Sequence, residues 1–354
     1  MPTSFNPSAL SVQQSRRDHL RMLSAAVAGL ATLGPSALGA EKPSSGYLLV
    51  TNKGDKTLSI VDPVSKKQIA VVPEDGTTGH EVAASPDGRL AYVPIFGDSG
   101  VGKPGTNGQL IRVINLEKRA IVGTVDFGKG VRPHCAVFSS TAGLLYVTTE
   151  LENSVSIIDP KTLKVVGAIP TGAEQSHMLA VSRDGKRGYT ANVAPGSVSV
   201  LDLESKKLLK VIPIAKITQR IALSADDKIA FTSDQLTPRL ASIDTAKQEF
   251  SGWTPLPGIA FGTAATPDGK YLVMAMIELN EVALLDLATM KITQRIKVPK
   301  APQEVLVRPD GAVAYVSCDA SKQVAVIDLQ KGSVDGLIDV GAVADGLAWA
   351  ATSR

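Results

Sequence analysis

Three of the four histidines in this 354-residue chain, His80, His134 and His177, share one position in consecutive copies of an internal repeat. Each lies 12 residues ahead of a tyrosine, Tyr92, Tyr146 and Tyr189 respectively. The same offset gives Gln219 before Phe231, Phe261 before Val273 and Gln303 before Tyr315, and the matching position in the last copy is Asp345. Closed into a ring, Asp345 returns beside His80, and the polar arc reads Asp, His, His, His, Gln. Inner strands that begin within about 5–8 Å of one another would let three imidazoles converge on one ion at about 2.0–2.1 Å per Zn–N bond. Imidazole suits borderline and soft metals, so the expected cofactor is one copper or zinc ion on His80, His134 and His177. Gln219, Gln303, Asp345 and Glu150 are the expected ligand-binding neighbours. The competing reading is a register inherited by duplication, with each imidazole bonded to the backbone of an adjacent repeat.

The elements that must position these residues follow from a ruler. Short apolar strands end in Asp62, Asn115, Asp159, Asp202, Asp244, Asp286 and Asp328, at intervals of 53, 44, 43, 42, 42 and 42 residues. Seven copies at that period predict an all-β, seven-bladed β-propeller of four-stranded antiparallel blades. The blades, numbered one to seven, fall near 80–125, 134–170, 177–213, 219–256, 261–298 and 303–340, with the last made from 343–350 and 46–73. N- and C-terminal strands sharing blade seven would remove the open edges of the ring. Turns such as Ser85-Pro86-Asp87-Gly88 and Arg308-Pro309-Asp310-Gly311 join the first strand of a blade to its second, with Gly supplying a positive φ. The strand-end aspartates read as turn caps rather than catalytic carboxylates. The longest interval carries an insertion, Gly97 to Gly108, expected as a lid beside His80 on the ligand face.

Other chemistry is sparse. The chain has no phosphate-cradling loop, no nucleophile elbow and no H-E-x-x-H motif. Covalent c-type haem is excluded because no C-x-x-C-H is present. Cys135 and Cys318 fall in blades two and six, too far apart for a disulfide. Cys135 reads as core, whereas Cys318, near the ligand face with Asp234 and Glu278, remains open as a metal neighbour. Lys129, Arg132, Lys216, Arg220 and Lys300 read as solvated charges, and Trp253 and Trp349 as packing residues.

Residues 1–40 read as a twin-arginine-type export signal, with Arg16-Arg17, an apolar stretch from Met22 to Leu33, and small residues before cleavage after Gly39 or Ala40. His19 stands where such signals more often carry an apolar or aromatic residue. Removing the segment takes away three basic residues and one acidic one, leaving 34 against 33 and a charge of +1. Such a balance, with only 4% aromatics, argues against a nucleic-acid partner. The expected mature chain, 41–354, is a single periplasmic domain, monomeric and without a membrane anchor, with a small ligand or a periplasmic protein as partner.

Leu49-Val50-Thr51-Asn52, Tyr92-Val93-Pro94, Tyr146-Val147-Thr148, Tyr189-Thr190-Ala191-Asn192 and Tyr315-Val316-Ser317 resemble the YVTN repeat, over essentially all of 46–350. That family implies a propeller and says little of activity; it includes surface-layer proteins, the heavy subunit of methylamine dehydrogenase and haem-binding domains of nitrite reductases. Three classes stay open on the residues: metal or small-ligand binding in copper or zinc handling or a redox step; a hydrolase or lyase using the same histidines; and a non-catalytic interaction scaffold.

Overall fold

The computed structural model describes residues 45–352. The expected export signal lies outside the described residues. Seven four-stranded antiparallel sheets form the blades, as the ruler predicts. The last strand, Ala344–Ala351, pairs with the first, Gly46–Asn52, which pairs in turn with Thr57–Asp62. The first and last described strands thus complete one blade together.

The turns explain why each strand stops where it does. In Ser85-Pro86-Asp87-Gly88, Asp87 takes the Ser85 hydroxyl at 2.5 Å and the Arg89 N–H at 3.1 Å, while Gly88 adopts φ 67°. Blade four turns on Asp226-Asp227 instead, with Asp227 at φ 59°, a left-handed conformation that Asp tolerates better than most residues. Strand-end aspartates cap the following turn, as Asp159 does for the Lys161 N–H at 2.9 Å. All are turn devices.

The core lies between adjacent blades. Tyr146, Val155 and Ile157 of blade two pack with Tyr189, Val198 and Val200 of blade three, and Tyr315 and Val324 of blade six pack with Leu48 and Val50 of blade seven. Each fully buried side chain of this size contributes about 1.5–3 kcal/mol. The motif threonines add a polar tie. Thr148 Oγ1 accepts the Cys135 N–H at 3.0 Å and donates to the His177 carbonyl at 2.7 Å, linking the backbones of blades two and three. Thr51 donates likewise to the His80 carbonyl at 2.8 Å, linking blade seven to blade one. The histidines therefore enter the channel on backbone held from both sides.

In blade one the strands Leu90–Gly97 and Asn107–Asn115 run into the insertion from both ends, and Gly97 pairs with Asn107. Asp98 closes the neck, accepting the Thr106 N–H and hydroxyl at 2.6 and 2.8 Å.

Candidate ligand site at the channel mouth

The register brings the three imidazoles together. His80 and His134 have ring centroids 5.4 Å apart at an interplanar angle of 81°. His134 and His177 are 3.7 Å apart at 34°, one ring stacked over the other. Phe96, fully buried, packs against His80 at 4.7 Å and His134 at 5.3 Å. Gln219 donates its amide N–H to His177 Nε2 at 3.2 Å, which leaves the imidazole proton on Nδ1. The Nδ1 atoms of both His134 and His177 are buried and have no partner.

Burial sets the charge of these rings. It pushes His80 down to about 4, with the Asp345 carboxylate pulling the other way. Burial also holds His134 well below the ordinary histidine range, helped by the adjacent His177 and His80, and holds His177 low with help from Arg220. All three are neutral at physiological pH.

Among the described residues, no three of His, Cys, Asp or Glu are arranged to hold a metal ion. The reason is visible in the rings. Two imidazoles on one tetrahedral ion stand with centroids about 5 Å apart. His80 and His134 meet that spacing, but the stacked His134–His177 pair is too close for both rings to aim at one point. The structure brings the trio together as a pair at ligand spacing plus a stacked third ring.

Beneath the histidines lies a charged belt. Arg220, from blade four, reaches Glu81 of blade one at 2.8 Å, Glu304 of blade six at 2.5 Å and Asp345 of blade seven at 3.7 Å. It also contacts Met178 of blade three and lies 4.7 Å over the Phe261 ring of blade five. A guanidinium touching five other blades sits on the propeller axis. Lys53 pairs with Asp345 at 3.0 Å. Three carboxyls thus face two cations. Burial pushes Glu81 up to about 8 against the pull of Arg220, whereas Lys53 and Arg220 overcome burial and hold Asp345 low.

The remaining expected residues are placed as follows. Gln303 borders the channel and donates to Asp319 at 3.4 Å. Glu150 contacts no imidazole; it pairs with Arg132 at 3.0 Å and accepts the Gly102 N–H of the insertion at 3.0 Å. Arg132 binds Asn107 and the Lys103 carbonyl at 2.7 Å each and lies 5.6 Å over Phe96. Glu150 is therefore the clasp of the insertion. Cys318 is fully buried in the apolar core of blades five and six, and burial raises its thiol to about 12, which removes it from the mouth. Lys129, Lys216 and Lys300 are exposed, as read. Arg132 and Arg220 correct the surface reading, each being 4% exposed.

Sequence reasoning named Asp345 but missed Glu81 and Glu304, and read Arg220 as a solvated charge because it lies near an inter-blade loop. Pairing shifts between Ser176 and Met178, and between Pro302 and Val305, mark bulges at the strand entrances. A bulge aims two successive residues at one side. The signal was one step further along the register, where Glu81, Arg220 and Glu304 follow His80, Gln219 and Gln303.

No family model matches this chain, and no curated protein matches it. Solved structures do. A hydrazine synthase chain of Kuenenia stuttgartiensis superposes with a TM-score of 0.69 at 18% identity, covering 81% of this chain and 93% of that one. Dihydro-heme d1 dehydrogenase NirN, solved in complex with DHE, superposes with a TM-score of 0.63 at 15% identity, covering 87% of this chain and 76% of that one. The class is a seven-bladed β-propeller. Among the described residues no helix is long and apolar enough to cross a membrane.

Proposed function

We propose that this chain is an exported, YVTN-type propeller that binds one copper or zinc ion at the mouth of its channel, with His80 and His134 as the first ligands. One observation carries the reading: these two neutral rings stand at the separation of a ligand pair, and His134 Nδ1 is buried without a partner. A neutral imidazole offers its lone pair with no proton to displace, so burial keeps the site ready across neutral pH. His177 joins when its ring turns out of the stack and exchanges the bond to Gln219. The belt carboxylates of Glu81 and Glu304 are engaged by Arg220, and Asp345 is held by Lys53, so the imidazoles are the first donors open to a cation. The periplasm is the proposed compartment, with delivery to or from a small ligand or a protein partner, as a monomer. Fold likeness below 20% identity to a hydrazine synthase and a dehydrogenase does not transmit their reactions.

The test is a titration of the full chain, purified after native export, with zinc and, anaerobically, cuprous ion against a competing chelator. One equivalent should bind, with uptake lost in His80→Ala and in His134→Gln and weakened by about ten-fold in His177→Ala. Equal uptake by a variant lacking all three imidazoles would overturn the proposal, as would no uptake by the wild type. The second outcome would leave an interaction scaffold as the surviving class.

A further inference from the structure

A second polar pocket, apart from the imidazoles, lies on the same face. It is an open depression of about 560 Å³ between the insertion of blade one, the Glu150 loop of blade two and the crossover into blade three. That volume falls in the range of small-ligand sites, about 300–1,000 Å³. Its wall carries opposite charges: Arg132 and Lys103 on one hand, Glu150 and Glu174 on the other. Arg132 and Glu150 are 4% and 2% exposed, respectively, whereas Lys103 and Glu174 reach solvent. Gln175 and Leu151 complete the lining.

One carboxylate oxygen of a lining residue, just behind the wall, is unsatisfied. Glu150 Oε1 accepts from both Arg132 and Gly102, while Oε2 is buried and has no partner. A buried carboxylate oxygen without a donor costs about 1–3 kcal/mol or more, so it favours a ligand that brings an N–H or O–H. A simple cation is opposed by the guanidinium on the other oxygen, and a simple anion is opposed by Glu150 and Glu174. With two positive and two negative side chains, the wall matches a ligand that carries both signs.

We propose that this pocket binds a small zwitterion with a primary ammonium and a carboxylate, such as a free amino acid. The ammonium faces Glu150 and Glu174, and the carboxylate faces Lys103 and Arg132. Because Arg132 also lies over Phe96, and Phe96 packs on the histidines, the occupant rests against the wall of the mouth.

The test is calorimetry on the full chain with each common protein amino acid, beside methylamine, acetate, glucose and N-trimethylglycine. At least one amino acid should bind below about 1 mM, with each control at least about ten-fold weaker. N-trimethylglycine keeps both charges but has no N–H for Glu150, so its weakness tests the orphaned oxygen directly. Lys103→Ala and Glu174→Gln change only exposed side chains and should each weaken binding by about ten-fold without altering the melting temperature. Three results would overturn the proposal: no heat from any amino acid up to about 10 mM, unaltered binding in both variants, or any of the four controls binding as tightly as the best amino acid. The pocket shares no ligand with the proposed ion site, so failure of one titration leaves the other readable.

Discussion

The imidazoles and a buried acid pull stability in opposite directions with pH. His80 has a folded pKa of about 4, below its ordinary 6.5, so it resists protonation when folded and accepts a proton when unfolded. Its contribution is present above about pH 6.5 and is lost as pH falls toward 4. His134 and His177 act in the same sense. Glu74, whose carboxylate accepts the Gly79 N–H at 2.8 Å, is raised by burial to about 7. Its contribution is present below the ordinary 4.5 and is lost as pH rises through 7. Urea midpoints measured across this range should show the acid slope flattened in His80→Gln and the neutral slope flattened in Glu74→Gln. Parallel curves for wild type and both variants would refute the assignment. None of this could be read from residue type, because a histidine in the register has the same letter whether stacked, bonded or solvated.

At the scale of elements, the strands that deliver the histidines are tied by hydroxyls rather than by side-chain contacts of the rings. Thr148 satisfies a donor in blade two and an acceptor in blade three at once. Thr148→Val keeps the shape and removes both bonds, and should cost about 1–3 kcal/mol. Thr148→Ser should recover most of it; chemical denaturation measures both, and a neutral Val variant would show that the tie is dispensable. The blades, their turns and the shared closing blade were legible because period, Asp-Gly pairs and the split first and last strands each leave a mark in sequence. The stacking of His134 on His177 left none. It depends on side-chain rotamers and on the entrance bulges, and a strand pattern of period 2 carries no sign of a residue that breaks it.

For the whole molecule, the decisive residue is one that composition disguises. Arg220 reads as a loop charge but joins blade four to Glu81, Glu304 and Asp345, on both sides of the ring closure. Removing it strands buried carboxylates against one another, so Arg220→Met should destabilise the fold by about 3–5 kcal/mol. Adding Glu81→Gln and Glu304→Gln should restore much of that loss, since a neutral axis no longer needs a counter-charge. Calorimetric melting of the single and triple variants distinguishes this from a general packing defect, for which the added substitutions would bring no recovery.

The guanidinium on the axle also changes what kind of vessel the ring is. A propeller is bored through by its own geometry, yet here the bore is corked partway along. Whatever passes the histidines has reached a cul-de-sac and must leave by the door it came through. Arrival and departure then compete for a single entrance, and a partner seated over that entrance would control both at once.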